Sequence, residues 1–332
     1  PFLFNLATAG LSDGSHTIVV RAVDASGNFG QSAPIAIIVD NTPPSVSLSG
    51  LVDGQAVRSL ITLKATASDA NGVTTAELRV DGSAGPTATI TGEPFNFTID
   101  TTKYADGGHS FEVTVYDKAG NSGKKSISVV VDNTPPSVSI EGVSDGQLLR
   151  GVVPVSVKAE DSGGIASVDV AADGAVTLGR FTNPPFSLNL DTTKLADGAH
   201  TLDVLAVDSV GNTSMTSISI SVDNTAPSVK LQGLENGQYI KGSVPVSVDA
   251  SDASGVASVQ VTVSGSPVGA PATKPPFNFT INTAGLSDGG YTVEASATDS
   301  AGNVGRTSVM VNVDNTVPTA SIASPTPLQE VS

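Results

Sequence analysis

The chain has 332 residues, 39% hydrophobic and 14% charged, with a formal net charge of −16 and no cysteine. Disulfides and thiolate metal sites are excluded, and a surface this acidic repels phosphate backbones, so nucleic acid is not an expected partner. No apolar run approaches the roughly 18 residues of a membrane-spanning helix, and no basic-then-apolar leader follows Pro1.

The opening "PFLFNL" at Pro1 aligns with "PFNFTI" at Pro94, "PFSLNL" at Pro185 and "PFNFTI" at Pro276. Those three lie midway through a repeat, so residues 1–40 are expected to hold the last three strands of a domain whose beginning lies outside the sequence. The stretch "VDNTPP" at Val39 closes this segment, returns at Val131, and comes back as "VDNTAP" at Val222 and "VDNTVP" at Val313. Its aspartates, Asp40, Asp132, Asp223 and Asp314, are spaced 92, 91 and 91 residues apart. The period predicts a tandem array with units at 41–132, 133–223 and 224–314, and with 315–332 as the start of a further domain or a tail.

Residues 41–132 show the unit in chain order. The runs "SVSLSG", "ITLKATASD", "AELRVDG", "PFNFTID", "HSFEVTVYD" and "KSISVVVD" alternate apolar and polar residues between Gly, Asp, Asn or Pro, the pattern of half-buried strands. Alternation sends Ile61, Leu63, Ala65 and Ala67 inward and Thr62, Lys64 and Thr66 to water. It adds Leu78, Val80, Phe95, Phe97, Ile99, Phe111, Val113, Val115, Ile127, Val129 and Val131 to the same core. Six or seven short antiparallel strands in about 91 residues predict a two-sheet sandwich, and the chain as a whole is expected to be all-β.

The string "PSVSI...DGQ...VPVSVKAEDSGGIASVDVAADG...PFSLNLDTTKLADGAHTLDVLAVDSVGN" from residues 136 to 212 resembles the bacterial immunoglobulin-like tandem repeats of secreted and surface proteins. The resemblance covers three full repeats and a partial one. It implies tandem immunoglobulin-like β-sandwiches arranged end to end, with strands lettered A to G and residues 1–40 carrying strands E to G. It places Asp106, Gly107 and His109 at the corner between strands E and F, where such domains use a turn and a Tyr. Phe111 stands where a disulfide Cys would be expected, as do the apolar Ile18, Leu202 and Val293. The three histidines, His16, His109 and His200, give way to Tyr291 in the fourth copy, so a ring with a polar tip explains them better than a ligand or base.

The acidic positions recur. Besides the linker aspartates, each full copy carries an Asp between strands B and C (Asp69, Asp161, Asp252). Each also carries a D-x-x-G-N turn between F and G: "DKAGN" at Asp117, "DSVGN" at Asp208 and "DSAGN" at Asp299. In an immunoglobulin-type sandwich these loops share the pole at which the linker arrives. Asp40, Asp69, Asp117 and Asn121 are therefore expected to meet at the first junction, Asp132, Asp161, Asp208 and Asn212 at the second, and Asp223, Asp252, Asp299 and Asn303 at the third. Such oxygens suit Ca²⁺, and related repeats include calcium-rigidified ones. The competing reading is that Asp and Asn before Gly form turns, and it predicts the same letters.

Only six residues separate Val39 from Val46, and every linker carries a Pro (Pro44, Pro136, Pro227, Pro318), so the joints are expected to be short and stiff, the domains forming a rod. The function that follows is a structural spacer or stalk of a long secreted or cell-surface protein, an adhesin or extracellular fibre. Its partners would be neighbouring repeats, other copies in a fibre or a cell-surface receptor. The alternative is a glycan- or protein-binding accessory module of a secreted multidomain hydrolase. No G-x-S-x-G, phosphate loop or His-rich zinc spacing points to catalysis. Acceptor patterns for N-glycosylation occur at Asn96, Asn212 and Asn278.

Overall fold

Residues 2–323 are described by a computed structural model, in which strands occupy the runs marked by period-two alternation. The chain clusters into two compact units, Pro1–Ser137 with Glu160–Ala166 and Val207–Ser214, and Val138–Ala159 with Ser167–Ala206 and Met215–Ser332.

The first unit contains a complete sandwich. One sheet orders Phe95–Asp100, Leu60–Ser68 and Ser45–Ser49, and the other Gln55–Val57, Ser122–Val131, Gly107–Asp117, Val73–Val80 and Ala88–Thr91. Register places Phe97 opposite Leu63 and Ile99 opposite Ile61 in the first sheet, and Phe111 opposite both Val80 and Ile127 in the second. These inward rows form the core, and every predicted core residue lies in it or packs against it. Phe95, Phe97 and Phe111 are fully buried, whereas Thr62, Lys64 and Thr66 are exposed. Each buried Phe contributes about 3–5 kcal/mol relative to Ala.

Two features differ from the expectation. Gln55–Val57 pairs in parallel with Ser122–Val131, so the sandwich is not wholly antiparallel; the three-residue strand is too short to show alternation. Among residues 2–40, Gly14–Ile18 pairs with Ile35–Val39 and Arg21–Val23 with Phe29–Gln31, but the expected strand at the start of the segment is missing. Its equivalent, Phe95–Asp100, forms by pairing with Leu60–Ser68, and residues 2–40 contain no such neighbour.

The next sandwich, most of whose residues belong to the second unit, has a sheet ordered Ser137–Glu141, Val152–Glu160 and Phe186–Asp191. Its other sheet is ordered Gln147–Leu149, Thr213–Val222, Gly198–Asp208, Ile165–Ala172 and Val176–Phe181. The last sandwich repeats this with Ser228–Gln232, Ser243–Ser251 and Phe277–Asn282 facing Gln238–Ile240, Val304–Val313, Gly289–Asp299, Val256–Val263 and Ser266–Pro267. Its core runs from Ile240 to Val313. Of the expected segment 315–332, residues 315–323 form no strand, and 324–332 lies outside the described residues.

Candidate metal centres

Each "DNT" linker is fastened residue by residue. At the second copy, Asp132 N–H donates to Val57 O at 3.0 Å, while Asn133 N–H donates to Asp106 Oδ1 at 2.8 Å and Thr134 Oγ1 to Asp106 Oδ2 at 2.5 Å. The Asn133 amide fills the corner before the strand Leu60–Ser68, accepting from Ser59 N and donating to Thr101 O. The same clamp joins Asn41 and Thr42 to Asp13, Asn224 and Thr225 to Asp197, and Asn315 and Thr316 to Asp288. Asp106 is held below the usual carboxylate range by the Thr134 hydroxyl and then by the Asn133 N–H.

This arrangement leaves the linker Asp side chain facing the loops of the following sandwich. A bulge between Tyr116 and Asp117 ends the long strand and begins a tight turn in which Asp117 Oδ1 accepts from Gly120 N and Asn121 N, with Gly120 at a left-handed φ of 94°. In the facing loop Asp69 Oδ1 accepts from Asn71 N at 2.8 Å. Asp208 and Asp299, and Asp161 and Asp252, repeat these bonds. The turn-forming role is therefore present, and it uses chiefly one oxygen of each carboxylate.

The structure brings together Asp40, Asp69 and Asp117; Asp132, Asp161 and Asp208; and Asp223, Asp252 and Asp299, each group offering carboxylate oxygens within 4.8 Å of one another. Like charges at this distance oppose burial, yet Asp117, Asp132, Asp208, Asp223 and Asp299 are all buried. Asp40 Oδ2, both oxygens of Asp132 and Asp223 Oδ2 are buried with no hydrogen-bond partner. Burial, then the charges of Asp161 and Asp208, push the Asp132 carboxyl upward. An uncompensated buried carboxylate costs several kcal/mol, and a hard cation is the group that these oxygens fit. No His or Cys takes part in any of the three groups, so nitrogen- and sulfur-preferring metals are poorly served.

The asparagines take a different place from the one their amide oxygens suggested. Asn121 Nδ2 donates to Asp117 Oδ2 at 2.8 Å and to Asp40 O at 3.0 Å, and Asn212 and Asn303 do the same with Asp208 and Asp132, and with Asp299 and Asp223. They brace the carboxylates and tie the linker to the turn. Asn212 is therefore also a poor glycan acceptor, whereas Asn96 and Asn278 are exposed.

Sequence reasoning read Asp106 only as part of a corner turn and passed over its counterparts Asp13, Asp197 and Asp288, although the period repeats them. It also passed over Arg58, whose Nε donates to Val210 O at 2.9 Å in the turn that carries Asp208. Arg150 lies against Gly302 in the same way. Clefts lined by Asp13, Asp40 and Asp69, and by Asp197, Asp223 and Asp252, connect two of the centres to solvent.

The family model described as bacterial Ig domain matches residues 44–113, 136–204 and 227–295. The chain belongs to the bacterial Ig domain family. These bacterial Ig domains are 30% identical over 302 residues to Exoglucanase B of Cellulomonas fimi, covering 84% of this chain and 26% of that protein; the chain thus spans about a quarter of its relative's length. Among solved structures, a tetra-tandem repeat from the extending region of a large adhesion protein is 25% identical, with 95% of this chain and 85% of that chain covered and a TM-score of 0.37. The fibronectin(III)-like modules of Clostridium thermocellum CbhA are 20% identical, covering 53% of this chain and 94% of theirs, with a TM-score of 0.36. Bacterial Ig domains are typically extracellular and non-catalytic. No helix among the described residues is long and apolar enough to cross a membrane.

Proposed function

We propose that the chain is a non-catalytic, stiff extracellular spacer whose joints are completed by Ca²⁺. The observation that carries this reading is the buried, unpartnered Asp132 carboxylate beside Asp161 and Asp208, since a chain gains nothing by desolvating three like charges unless a cation joins them. Asp40, Asp69 and Asp117 would hold a second ion, and Asp223, Asp252 and Asp299 a third. The linker clamps support stiffness at the same places.

Small-angle X-ray scattering with Ca²⁺ and then with chelator tests this. A long particle that shortens or softens on chelation is expected; a compact particle in both conditions would sink the spacer reading, and an unchanged long one would sink the metal's part in it. A stalk in an adhesin and a spacer accompanying a secreted hydrolase are both served by such joints. The match to Exoglucanase B favours the second setting, which predicts a glycoside-cleaving domain elsewhere in the same polypeptide.

A further inference from the structure

The three centres are not equivalent. At the first and third, the linker carboxylate already serves its own linker, Asp40 Oδ1 accepting Thr42 N–H at 3.3 Å and Asp223 Oδ1 accepting Thr225 N–H at 3.1 Å. One buried oxygen is left without a partner at each, Asp40 Oδ2 and Asp223 Oδ2. At the second centre neither Asp132 oxygen has a partner in hydrogen-bond geometry. Both Asp132 oxygens are consequently free, in a residue only 4% exposed.

The facing loop differs at the same centre. The second residue after the loop aspartate is Asn71 at the first centre and Ser254 at the third, but Gly163 at the second. A Cβ at position 163 would lie 2.6 Å from Asp132 Oδ2 and 3.3 Å from Asp161 Oδ1. Glycine is therefore what allows Asp132 to bring its second oxygen against the loop. The neighbouring centres have a side chain in that place and a linker carboxylate with one oxygen engaged.

We infer that the second centre is the tight, Ca²⁺-selective one, Asp132 giving both oxygens to the ion where Asp40 and Asp223 give one each. The inference rests on the reading of these clusters as cation centres. Ca²⁺ takes six to eight oxygens at flexible angles and accepts bidentate carboxylates, whereas Mg²⁺ demands near-octahedral geometry at shorter distances. A bidentate carboxylate therefore raises Ca²⁺ affinity and widens the gap to Mg²⁺. Burial acts in the same direction, because the carboxylate with no alternative partner gains most when the ion arrives.

Calorimetric titration of the whole chain with Ca²⁺, alone and in excess Mg²⁺, tests this. The expected result is one step about tenfold or more tighter than the other two, and the one least displaced by Mg²⁺. Asp132→Asn should delete the tight step and keep the weaker two, whose survival also reports a folded chain. Gly163→Asn should weaken the tight step toward the others, and Asp40→Asn should leave it intact. Three equivalent steps, or a tight step that survives Asp132→Asn, would overturn the inference while leaving the cation reading standing. A chain that takes up no Ca²⁺ would overturn both.

Discussion

At the scale of single residues, Asp132 shows how one carboxylate can cost stability in one condition and supply it in another. Its carboxyl is pushed upward by burial and by Asp161 and Asp208, so the metal-free folded state binds a proton more tightly than the unfolded chain does. The penalty is absent below the unfolded carboxylate range and grows as pH rises through the folded value. Thermal unfolding in chelator should accordingly show Asp132→Asn more stable than the parent by about 1–3 kcal/mol at pH 7. Saturating Ca²⁺ should reverse the order, since the parent alone gains binding energy at this centre. The same sign in both conditions would contradict the cation reading. Gly123 gives a second residue-scale case, because a Cβ there would lie 1.9 Å from Pro44 O, and at Gly305 2.0 Å from Pro227 O. Gly123→Ala must displace the linker backbone, and a loss of about 1–3 kcal/mol by chemical denaturation is expected. What the sequence conveyed here was which aspartates recur. It did not convey which oxygen of each is engaged or which way Asn121 turns its amide, because those depend on backbone donors brought from other strands.

At the scale of elements, the corner before the long strand Gly107–Asp117 carries a titratable latch. His109 Nδ1 lies 2.7 Å from Asp81 Oδ2 and Nε2 lies 2.7 Å from Ala105 O. Both partners accept, so only the doubly protonated ring satisfies both. Asp81, then the Ala105 carbonyl, hold His109 above the ordinary histidine range, and Asp173 and Ala196 do the same for His200. A raised histidine stabilises fully below its unfolded value near 6.5 and loses that contribution as pH rises through its folded value. His109→Gln should therefore cost about 1 kcal/mol at pH 6 and progressively less at higher pH, Asp81 being half exposed and its pairing screened. The last sandwich carries Tyr291 donating to Ser287 O and Ser264 in place of the acid, so its unfolding should be flat over the same pH range. NMR-detected unfolding of the parent and of His109→Gln as a function of pH distinguishes these outcomes. The corner was legible as a ring with a polar tip, while its acid partner was not, because Asp81 and His109 are neighbours only after the strands Val73–Val80 and Gly107–Asp117 pair. Alternation revealed the long strands and their core, from Leu63 to Val131, yet Gln55–Val57 lay beyond it, since three residues paired in parallel leave no periodic trace.

At the scale of the whole molecule, the linkers decide whether the repeats behave as separate beads or as one stiff chain. A free six-residue tether would be an open site for proteolysis. These linkers are not free: Asp132, Asn133 and Thr134 are each bonded to the preceding sandwich, and Asn212 Nδ2 reaches back to Asp132 O. Cleavage within residues 132–136 thus requires breaking several hydrogen bonds together, two of them to the ionised Asp106, which is exposed, so that solvent screening holds each to about 0.5–1 kcal/mol. Asp106→Ala removes those two at once without touching any carboxylate of the three candidate centres. Limited proteolysis should leave the parent intact and cut the variant between the first and second complete sandwiches, giving fragments that each resist further digestion. Asp197→Ala should move the cut to the Asn224 linker. If both variants resist cleavage as the parent does, the Pro residues and the cation centres hold the joints without the clamps. If the parent itself is cut at these linkers in Ca²⁺, the joints are tethers, and stiffness cannot be what the repeated "DNTPP" encodes.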